Sequence, residues 1–187
     1  ESHRLSRLIQ TIRGVSRLEA GRLRLHLGPV ALEPLLARAG AATLGPVGYS
    51  WTLQAEPGLP PAWADEVRVE EVVRNLLENA AKYSPVGTDV VVSAKQVGSE
   101  VIVAVLDGGP GIPAASLDHI FDLFYRDPTM ARTVAGSGIG LFVCRNLAEA
   151  MGGRMDVAPG RGGGALFTFS LSVLAGDEGD LARAPVR

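Results

Sequence analysis

The spacing of apolar residues at the start of the chain predicts an amphipathic helix. Apolar side chains recur there at intervals of three or four residues, at Leu5, Leu8, Ile12 and Val15. Arginines fill much of the remaining surface, and the stripe begins like a coiled-coil seam. We therefore predict a long helix over residues 1–27 that packs on a partner helix. Gly28 and Pro29 are expected to end it.

Periodicity and turn residues predict the elements that follow. We expect helices over residues 31–42, 65–83, 113–121 and 138–151, and strands over 49–56, 88–97, 100–106, 154–157 and 165–173. A turn at Gly98 and Ser99 joins two of these strands in a hairpin. Three prolines mark a loop after residue 56, residues 127–135 have no period, and the tail from residue 175 is expected to fray. Mixed helices and adjacent hairpins predict an α+β fold in two layers.

Composition limits the classes of protein that fit. The chain has 187 residues, 47% of them hydrophobic, which is enough for one domain with a real core. A net charge of −2 gives no basic excess for nucleic acid. The single cysteine, Cys144, excludes an internal disulfide and fits a reducing, cytoplasmic compartment. No signal peptide or apolar run long enough to span a bilayer is present, and we interpret the chain as a fragment of a longer protein that could carry a membrane anchor.

The helix predicted over residues 65–83, which Asp65 can cap at its amino terminus, has an unusual polar face. Its core face is apolar, with Val69, Val72, Val73, Leu76, Leu77 and Ala80. Asn75, Asn79 and Lys82 project together from the other side, beside Glu71 and Glu78. A solvated surface is one interpretation, but asparagine is a mediocre helix former. Amide oxygens suit Mg²⁺ and a lysine suits phosphate, so a metal and phosphate face is the other interpretation.

Three glycine-rich segments lie near predicted element ends. They are residues 107–112 (DGGPGI), 136–141 (GSGIGL) and 160–164 (GRGGG). Glycine lets a backbone turn sharply and lets a phosphate or a ring approach closely, and the start of the 138–151 helix suits an anion. The segment over residues 136–141 does not follow a strand, which excludes a Rossmann motif, and no P-loop is present. Nucleotide binding would therefore use another architecture.

Four motifs in this order resemble those of one family. They are NLLENAAKYSP (75–85), DGGPGIP (107–113), IFDLFYR (120–126) and GSGIGL (136–141). In the same order, they resemble the asparagine box, the first glycine box, the phenylalanine box and the second glycine box of sensor histidine kinases. This family lies within the superfamily of gyrase, heat-shock chaperone and mismatch-repair ATPases. The resemblance implies a Bergerat-type ATP-binding fold over residues 28–174, a mixed sheet packed on about three helices. Residues 1–27 resemble the second helix of the family's dimerisation and phosphotransfer domain.

The resemblance also implies an ATP site with bound Mg²⁺. The implied contacts are Asn75, Asn79, Lys82, Tyr83, Asp107, Gly109, Gly111, Ile112, Arg126, Gly136, Ser137, Gly138, Ile139, Gly140 and Leu141. Asn79 would bind the metal with Asn75 nearby, Lys82 would contact phosphate, and these three would be catalytic. Asp107 would accept a hydrogen bond from the adenine amino group, with Gly109 and Gly111 making room for the base. Residues 127–135 would form a lid hinged at the second glycine box, and either Arg126 or Arg132 could reach the γ-phosphate.

Two departures shape the expected activity. Asn75 stands where the hydrolytic relatives carry a glutamate base, and an amide cannot accept that proton. The family's phosphoacceptor motif, His-Glu/Asp-x-Arg-Thr/Asn-Pro, does not occur, and His3 is badly placed to replace it. We therefore expect a histidine kinase fragment whose acceptor histidine lies on an upstream helix of the same protein. The implied partners are a response regulator and a second copy of the full-length protein, joined through the phosphotransfer helices.

Two alternatives remain open. One is another ATPase or serine kinase of the same superfamily, and the other is a nucleotide-binding interaction module that has lost catalysis. Asn75 and the Ser-Arg-Leu-Glu-Ala-Gly segment at residues 16–21 argue against the first. Intact Asn79, Lys82, Asp107 and glycine boxes argue against the second.

Overall fold

A mixed sheet covered by helices forms the body of the protein. The computed structural model describes residues 23–131, 134, 136–160 and 162–173. The strands are β1 (Gly28–Val30), β2 (Trp51–Ala55), β3 (Ala62–Ala64), β4 (Val90–Val97), β5 (Glu100–Leu106), β6 (Met155–Pro159) and β7 (Ala165–Ser172). The helices are α1 (Leu32–Leu44), α2 (Glu66–Tyr83), α3 (Ala114–Leu117) and α4 (Gly140–Ala150).

The main sheet has five strands in the order β2-β4-β5-β7-β6. Strands β2 and β4 are parallel, and the other neighbours are antiparallel, so the sheet is mixed. Val97 pairs with Glu100 across the two-residue turn, which confirms the predicted hairpin. A second sheet consists of β1 and β3. The predicted α+β class, with a mixed sheet and three main helices, is confirmed.

Helix α2 lies at the centre of the helical layer, in contact with both α1 and α4. Its predicted core face is correct: Val69, Val72, Val73, Leu76, Leu77 and Ala80 are all buried. These residues belong to one continuous core with the inward side chains of β4, β5 and β7. Burying this stripe stabilises the helix and fixes its rotation, so the polar face of α2 points away from the core.

The amino terminus of α2 is capped by Asp65, as predicted. Its Oδ1 accepts a hydrogen bond from the backbone N–H of Arg68 (3.2 Å), and its Oδ2 accepts one from the backbone N–H of His26 (2.8 Å). Of the helix predicted over residues 1–27, residues 1–22 lie outside the described part of the chain. For residues 23–27 the prediction was wrong, because this stretch is not helical. Leu23 and Leu25 pack on the core and the His26 N–H bonds to Asp65, so the chain runs into β1 instead.

Other element bounds differ from the sequence prediction. Strand β3 follows the proline-marked loop and pairs with β1. It was not predicted, because three residues are too few to show an alternation of apolar and polar side chains. The helix predicted over residues 113–121 is α-helical only over Ala114–Leu117, and the helix predicted from residue 138 begins at Gly140. The predicted tail from residue 175 lies outside the described residues.

Candidate functional site

A cavity of about 300 Å³ lies between the polar face of α2 and the two glycine boxes. Thirteen predicted site residues line it: Asn75, Asn79, Lys82, Tyr83, Asp107, Gly111, Ile112, Arg126, Gly136, Ser137, Gly138, Gly140 and Leu141. Three residues of the predicted lid also line it, Asp127, Met130 and Ala131. The lining further includes residues that the sequence prediction did not assign to the site: Glu78, Pro110, Pro113, Ile120, Tyr125, Ala165 and Phe167. The structure thus brings segments distant in sequence around one space of a size typical of ligand sites.

Two predicted residues do not line the cavity. Ile139 is only 1% exposed and belongs to the core, because it immediately precedes α4 and turns inward with Val143. Gly109 lies beside the wall, where a Cβ would come within 3.0 Å of the Tyr83 carbonyl oxygen. Its lack of a side chain makes room for protein backbone. Ile139 and Gly109 therefore do not line this cavity, and their contact with ATP stays a prediction.

Asp107 supplies a buried carboxylate to the cavity. It is 8% exposed and follows the last residue of β5. Its Oδ1 accepts hydrogen bonds from the backbone N–H groups of Gly109 and Ala165, both at 2.9 Å. Two bonds from rigid backbone hold the carboxylate in one orientation. Both of these bonds go to Oδ1, so Oδ2 is the oxygen placed to meet a ligand.

The third glycine-rich segment packs directly against Asp107. Gly164 has a φ of +76°, and a Cβ there would lie 2.0 Å from the Asp107 carbonyl oxygen. Gly111 approaches the same turn, since its Cβ would lie 3.1 Å from the Gly164 carbonyl oxygen. These glycines allow a left-handed backbone and close contact between two loops. The segment over residues 160–164 therefore helps to build the site as well as joining two strands.

The polar face of α2 forms another wall. Asn75 donates from Nδ2 to the Glu71 carbonyl oxygen at 2.9 Å, which fixes its amide and leaves Oδ1 toward Gly140. A Cβ at Gly140 would lie 3.4 Å from that Oδ1, and one at Gly136 would lie 2.6 Å from Lys82 Nζ. The second glycine box therefore passes closely over the asparagines and the lysine. A side chain at either glycine would occupy the space between them.

Phe124 and Gly138 join the phenylalanine box to the second glycine box. The Phe124 N–H donates to the Gly138 carbonyl oxygen at 2.9 Å, and a Cβ on Gly138 would lie 2.6 Å from the Phe124 carbonyl carbon. Phe124 has a φ of +66°, unusual for a residue with a side chain, and is 60% exposed. Phe121 is buried in the core, with the Arg145 guanidinium 3.9 Å from its ring centroid. Phe121 is therefore a core residue, whereas Phe124 is exposed.

The start of the predicted lid is held by Arg126 and Asp127. Arg126 donates to the carbonyl oxygens of Ala131 (3.1 Å) and Val134. Asp127 accepts from the Ser116 hydroxyl (2.5 Å) and from the backbone N–H of Thr129 (2.8 Å). These bonds lower the pKa of Asp127 from its usual 3.8 to about 2. Arg132, the other predicted γ-phosphate contact, lies outside the described residues.

Two further groups have pKa values shifted by burial. Burial raises the pKa of the half-buried Tyr83 hydroxyl, and the nearby Arg126 charge offsets part of that rise. Burial also raises the pKa of the Cys144 thiol, which agrees with its place in the core. Tyr83 is therefore a neutral wall of the cavity. Cys144 is an inert core residue, as its fully buried position requires.

The residues of this cavity suit a nucleotide with a divalent cation. No group of three or more His, Cys, Asp and Glu side chains able to hold a metal occurs in the described part of the chain. The amide oxygens of Asn75 and Asn79 are hard ligands, and Mg²⁺ commonly binds through few protein groups plus phosphate oxygens and waters. The donor set therefore fits Mg²⁺ carried by a nucleotide better than a cation held by protein alone.

Comparison with known proteins identifies the family. Residues 64–175 match the sequence profile described as histidine kinase-, DNA gyrase B- and HSP90-like ATPase. The alginate biosynthesis sensor protein KinB of Pseudomonas aeruginosa is 35% identical over 177 residues, covering 92% of this chain and 29% of KinB. The crystal structure of full-length ShkA in complex with AMPPNP is 29% identical, with a TM-score of 0.79 over 92% of this chain and 37% of ShkA. The histidine kinase AdeS of Acinetobacter baumannii is 25% identical, with a TM-score of 0.76 over 93% of this chain and 81% of the AdeS chain.

The chain therefore belongs to the family of histidine kinase-, DNA gyrase B- and HSP90-like ATPases, and it is similar to the matching part of sensor histidine kinases. It spans about 30% of the length of the curated relatives it matches. Among the described residues, no helix combines the length and the apolar character that crossing a membrane requires.

Proposed function

We propose that this chain binds Mg-ATP in the cavity and transfers the γ-phosphoryl group to a histidine on an upstream helix of the same protein. From that histidine the group would pass to the receiver domain of a response regulator. The observation that carries the proposal is the Asp107 carboxylate, buried in the cavity and oriented by two backbone N–H groups. The ShkA structure adds support, because it contains AMPPNP, an ATP analogue.

Asp107 would select the base. Its Oδ2 can accept a hydrogen bond from the amino group of adenine, whereas guanine would present a keto oxygen to the same carboxylate. Two acceptors facing each other in a desolvated place are unfavourable, so a guanine nucleotide would be rejected. Ile112 and Phe167 line the same cavity and supply apolar surface for a ring.

The polar face of α2 would hold the triphosphate. Mg²⁺, when bound with the nucleotide, would neutralise charge on the phosphate oxygens. Asn79 would hold the ion, with the Asn75 amide oxygen nearby, and Lys82 would contact phosphate as a point charge. In transfer, the bond from the γ-phosphorus to the bridging oxygen breaks as an unprotonated imidazole nitrogen forms a bond to phosphorus. ADP leaves with the electron pair. These side chains contribute by positioning and neutralising charge.

Asn75 favours transfer over hydrolysis. An amide cannot remove a proton from water, so position 75 cannot activate a water molecule. A histidine side chain needs no such base, since its neutral ring already offers a nitrogen lone pair. We therefore assign the chain to a phosphotransferase, and we expect the full-length protein to dimerise through its phosphotransfer helices.

Radiolabelled ATP and gel electrophoresis test this proposal. The chain alone should bind ATP, release phosphate very slowly and not label itself. The phosphotransfer domain of the same protein, added in trans, should become labelled slowly, because tethering normally supplies effective concentration. A variant of that domain with its acceptor histidine replaced by alanine is the control.

Two outcomes would contradict the proposal. Label on this chain itself, or brisk phosphate release without an acceptor, would indicate another ATPase or kinase of the superfamily. ATP binding with no label on any supplied phosphotransfer domain would indicate a nucleotide-binding module without catalysis.

A further inference from the structure

Glu78 differs from the other carboxylates that line the cavity. Three described carboxylates lie there: Glu78, Asp107 and Asp127. Asp107 is held through Oδ1 by two backbone N–H groups. Asp127 accepts hydrogen bonds at both oxygens, from Ser116 on one side and Thr129 on the other. Glu78 is paired with Arg74 at a long 3.8 Å, and both side chains are about half exposed, 54% for Arg74 and 53% for Glu78.

The position of Glu78 on α2 places it beside the residues proposed to bind phosphate and metal. It lies three residues after Asn75 and four before Lys82, so all three project from the same side of the helix. It is the residue immediately before Asn79, and neighbouring helical positions point about 100° apart. Glu78 would therefore lie to one side of a metal bound to Asn79. It would contact the metal through a water ligand, since Mg²⁺ commonly keeps several waters.

We propose that Glu78 strengthens Mg²⁺ binding in the nucleotide complex, through a water molecule coordinated to the ion. The inference rests on the proposed binding of Mg-ATP. A carboxylate at this place repels a triphosphate and attracts a cation. It therefore penalises nucleotide without metal and favours nucleotide with metal, which makes the site selective for the magnesium complex.

The test is a comparison of AMPPNP affinity with and without metal. Calorimetry of the wild-type chain would be carried out in excess MgCl₂ and in excess EDTA, and the ratio of the two affinities measures the coupling. Glu78→Gln should lower this ratio about tenfold, within the usual range of coupling between ligands, by tightening metal-free binding and weakening binding with Mg²⁺. Glu78→Asp, which keeps the charge, should retain most of the coupling.

Glu71→Gln is the matched control. Glu71 lies seven residues earlier on the same side of α2, about 10 Å along the helix axis, and pairs with Arg68 at 2.7 Å outside the cavity lining. Its substitution removes the same charge from the same helix and should leave the coupling ratio unchanged.

The outcomes separate this inference from the proposed function. If Glu78→Gln and Glu71→Gln both keep the coupling ratio of the wild type, the role of Glu78 is overturned, while the proposed ATP binding stands. A coupling ratio unchanged in Glu78→Gln, with the slow phosphate release abolished, would assign Glu78 as a base toward water and would overturn the metal role. A wild-type chain that binds no AMPPNP under either condition would instead overturn the proposed function.

Discussion

Asp107 and Ala165 exchange two hydrogen bonds although they lie 58 residues apart in the sequence. The Ala165 N–H donates to the Asp107 carboxylate at 2.9 Å, and the Asp107 N–H donates to the Ala165 carbonyl oxygen at 3.0 Å. The pair extends the β5–β7 ladder by one step beyond Leu106. The carboxylate proposed to recognise adenine is therefore fixed by the sheet itself, so it is oriented before any ligand binds.

Replacing this carboxylate by an amide tests base recognition. Asp107→Asn keeps an oxygen that can accept both backbone N–H groups, so the fold should survive. The amide nitrogen would then face the adenine amino group, and ATP affinity should fall by about 1–3 kcal/mol. Discrimination against GTP should fall as well, because an amide N–H can donate to a keto oxygen.

Calorimetry with ATP and GTP measures both effects. Asp122→Asn is the matched control, since Asp122 is exposed and pairs with His119 outside the cavity lining. Unchanged ATP affinity in a folded Asp107→Asn protein would exclude the adenine role.

Removing the proposed metal ligand should separate binding from transfer. Asn79→Ala deletes the amide oxygen and should abolish Mg²⁺-dependent phosphotransfer to a supplied acceptor domain, while some metal-free nucleotide binding remains. Asn146→Ala on α4 is the control, because that asparagine bonds the Phe142 carbonyl oxygen and does not line the cavity. Transfer at the wild-type rate in Asn79→Ala would mean that the polar face of α2 is only a solvated surface.

The glycine turn behind Asp107 should be intolerant of a methyl group. Gly164→Ala would place a Cβ 2.0 Å from the Asp107 carbonyl oxygen at a φ of +76°. Gly162→Ala has a similar φ of +82°, but no atom lies within 4 Å of its Cβ. Both variants bear the left-handed strain, so the clash alone should make Gly164→Ala less stable by about 1–3 kcal/mol.

Chemical denaturation of the two glycine variants gives this difference directly. Gly164→Ala should also bind ATP more weakly, since the methyl group displaces the loop that holds the carboxylate. Equal stabilities would show that this turn relaxes freely and does not brace Asp107.

Asp127 should make stability depend on pH in the acid range. Its pKa in the folded protein is about 2, below its ordinary value of 3.8, so the folded state binds this proton less readily than the unfolded state. The contribution is therefore fully present above pH 3.8 and is lost as the pH falls toward 2. Asp127→Asn should flatten the dependence of unfolding free energy on pH in this window.

Denaturation of the wild type and of Asp127→Asn between pH 5 and pH 2 provides the measurement. Asp118→Asn is a suitable control, because Asp118 is an exposed carboxylate outside the cavity lining. Parallel pH profiles for wild type and Asp127→Asn would contradict the assigned network around the start of the lid.

The sequence by itself determined the helices and strands that can be recognised from a pattern within their own residues. Helix α2 was predicted closely because its apolar residues repeat every three to four positions and Asp65 can cap it. The β4–β5 hairpin was predicted because the turn lies between two β-branched runs. The candidate site residues on the asparagine and glycine boxes were predicted from the resemblance of these motifs to one family, and most of them surround one cavity.

Only the tertiary structure decided features that depend on distant partners. Residues 23–27 continue the pattern of arginines and leucines that predicts a helix. They are not helical, because the His26 N–H donates a hydrogen bond to Asp65 and Leu25 packs on the core. Strand β3 exists because β1 pairs with it, and three residues carry too little pattern to show this. In the sequence, Glu78 is one more charge on the polar face of α2. The packing of the glycine boxes against that face places Glu78 in the lining of the cavity. Side-chain periodicity records which face of an element is buried, whereas the contents of a cavity depend on how separate elements pack.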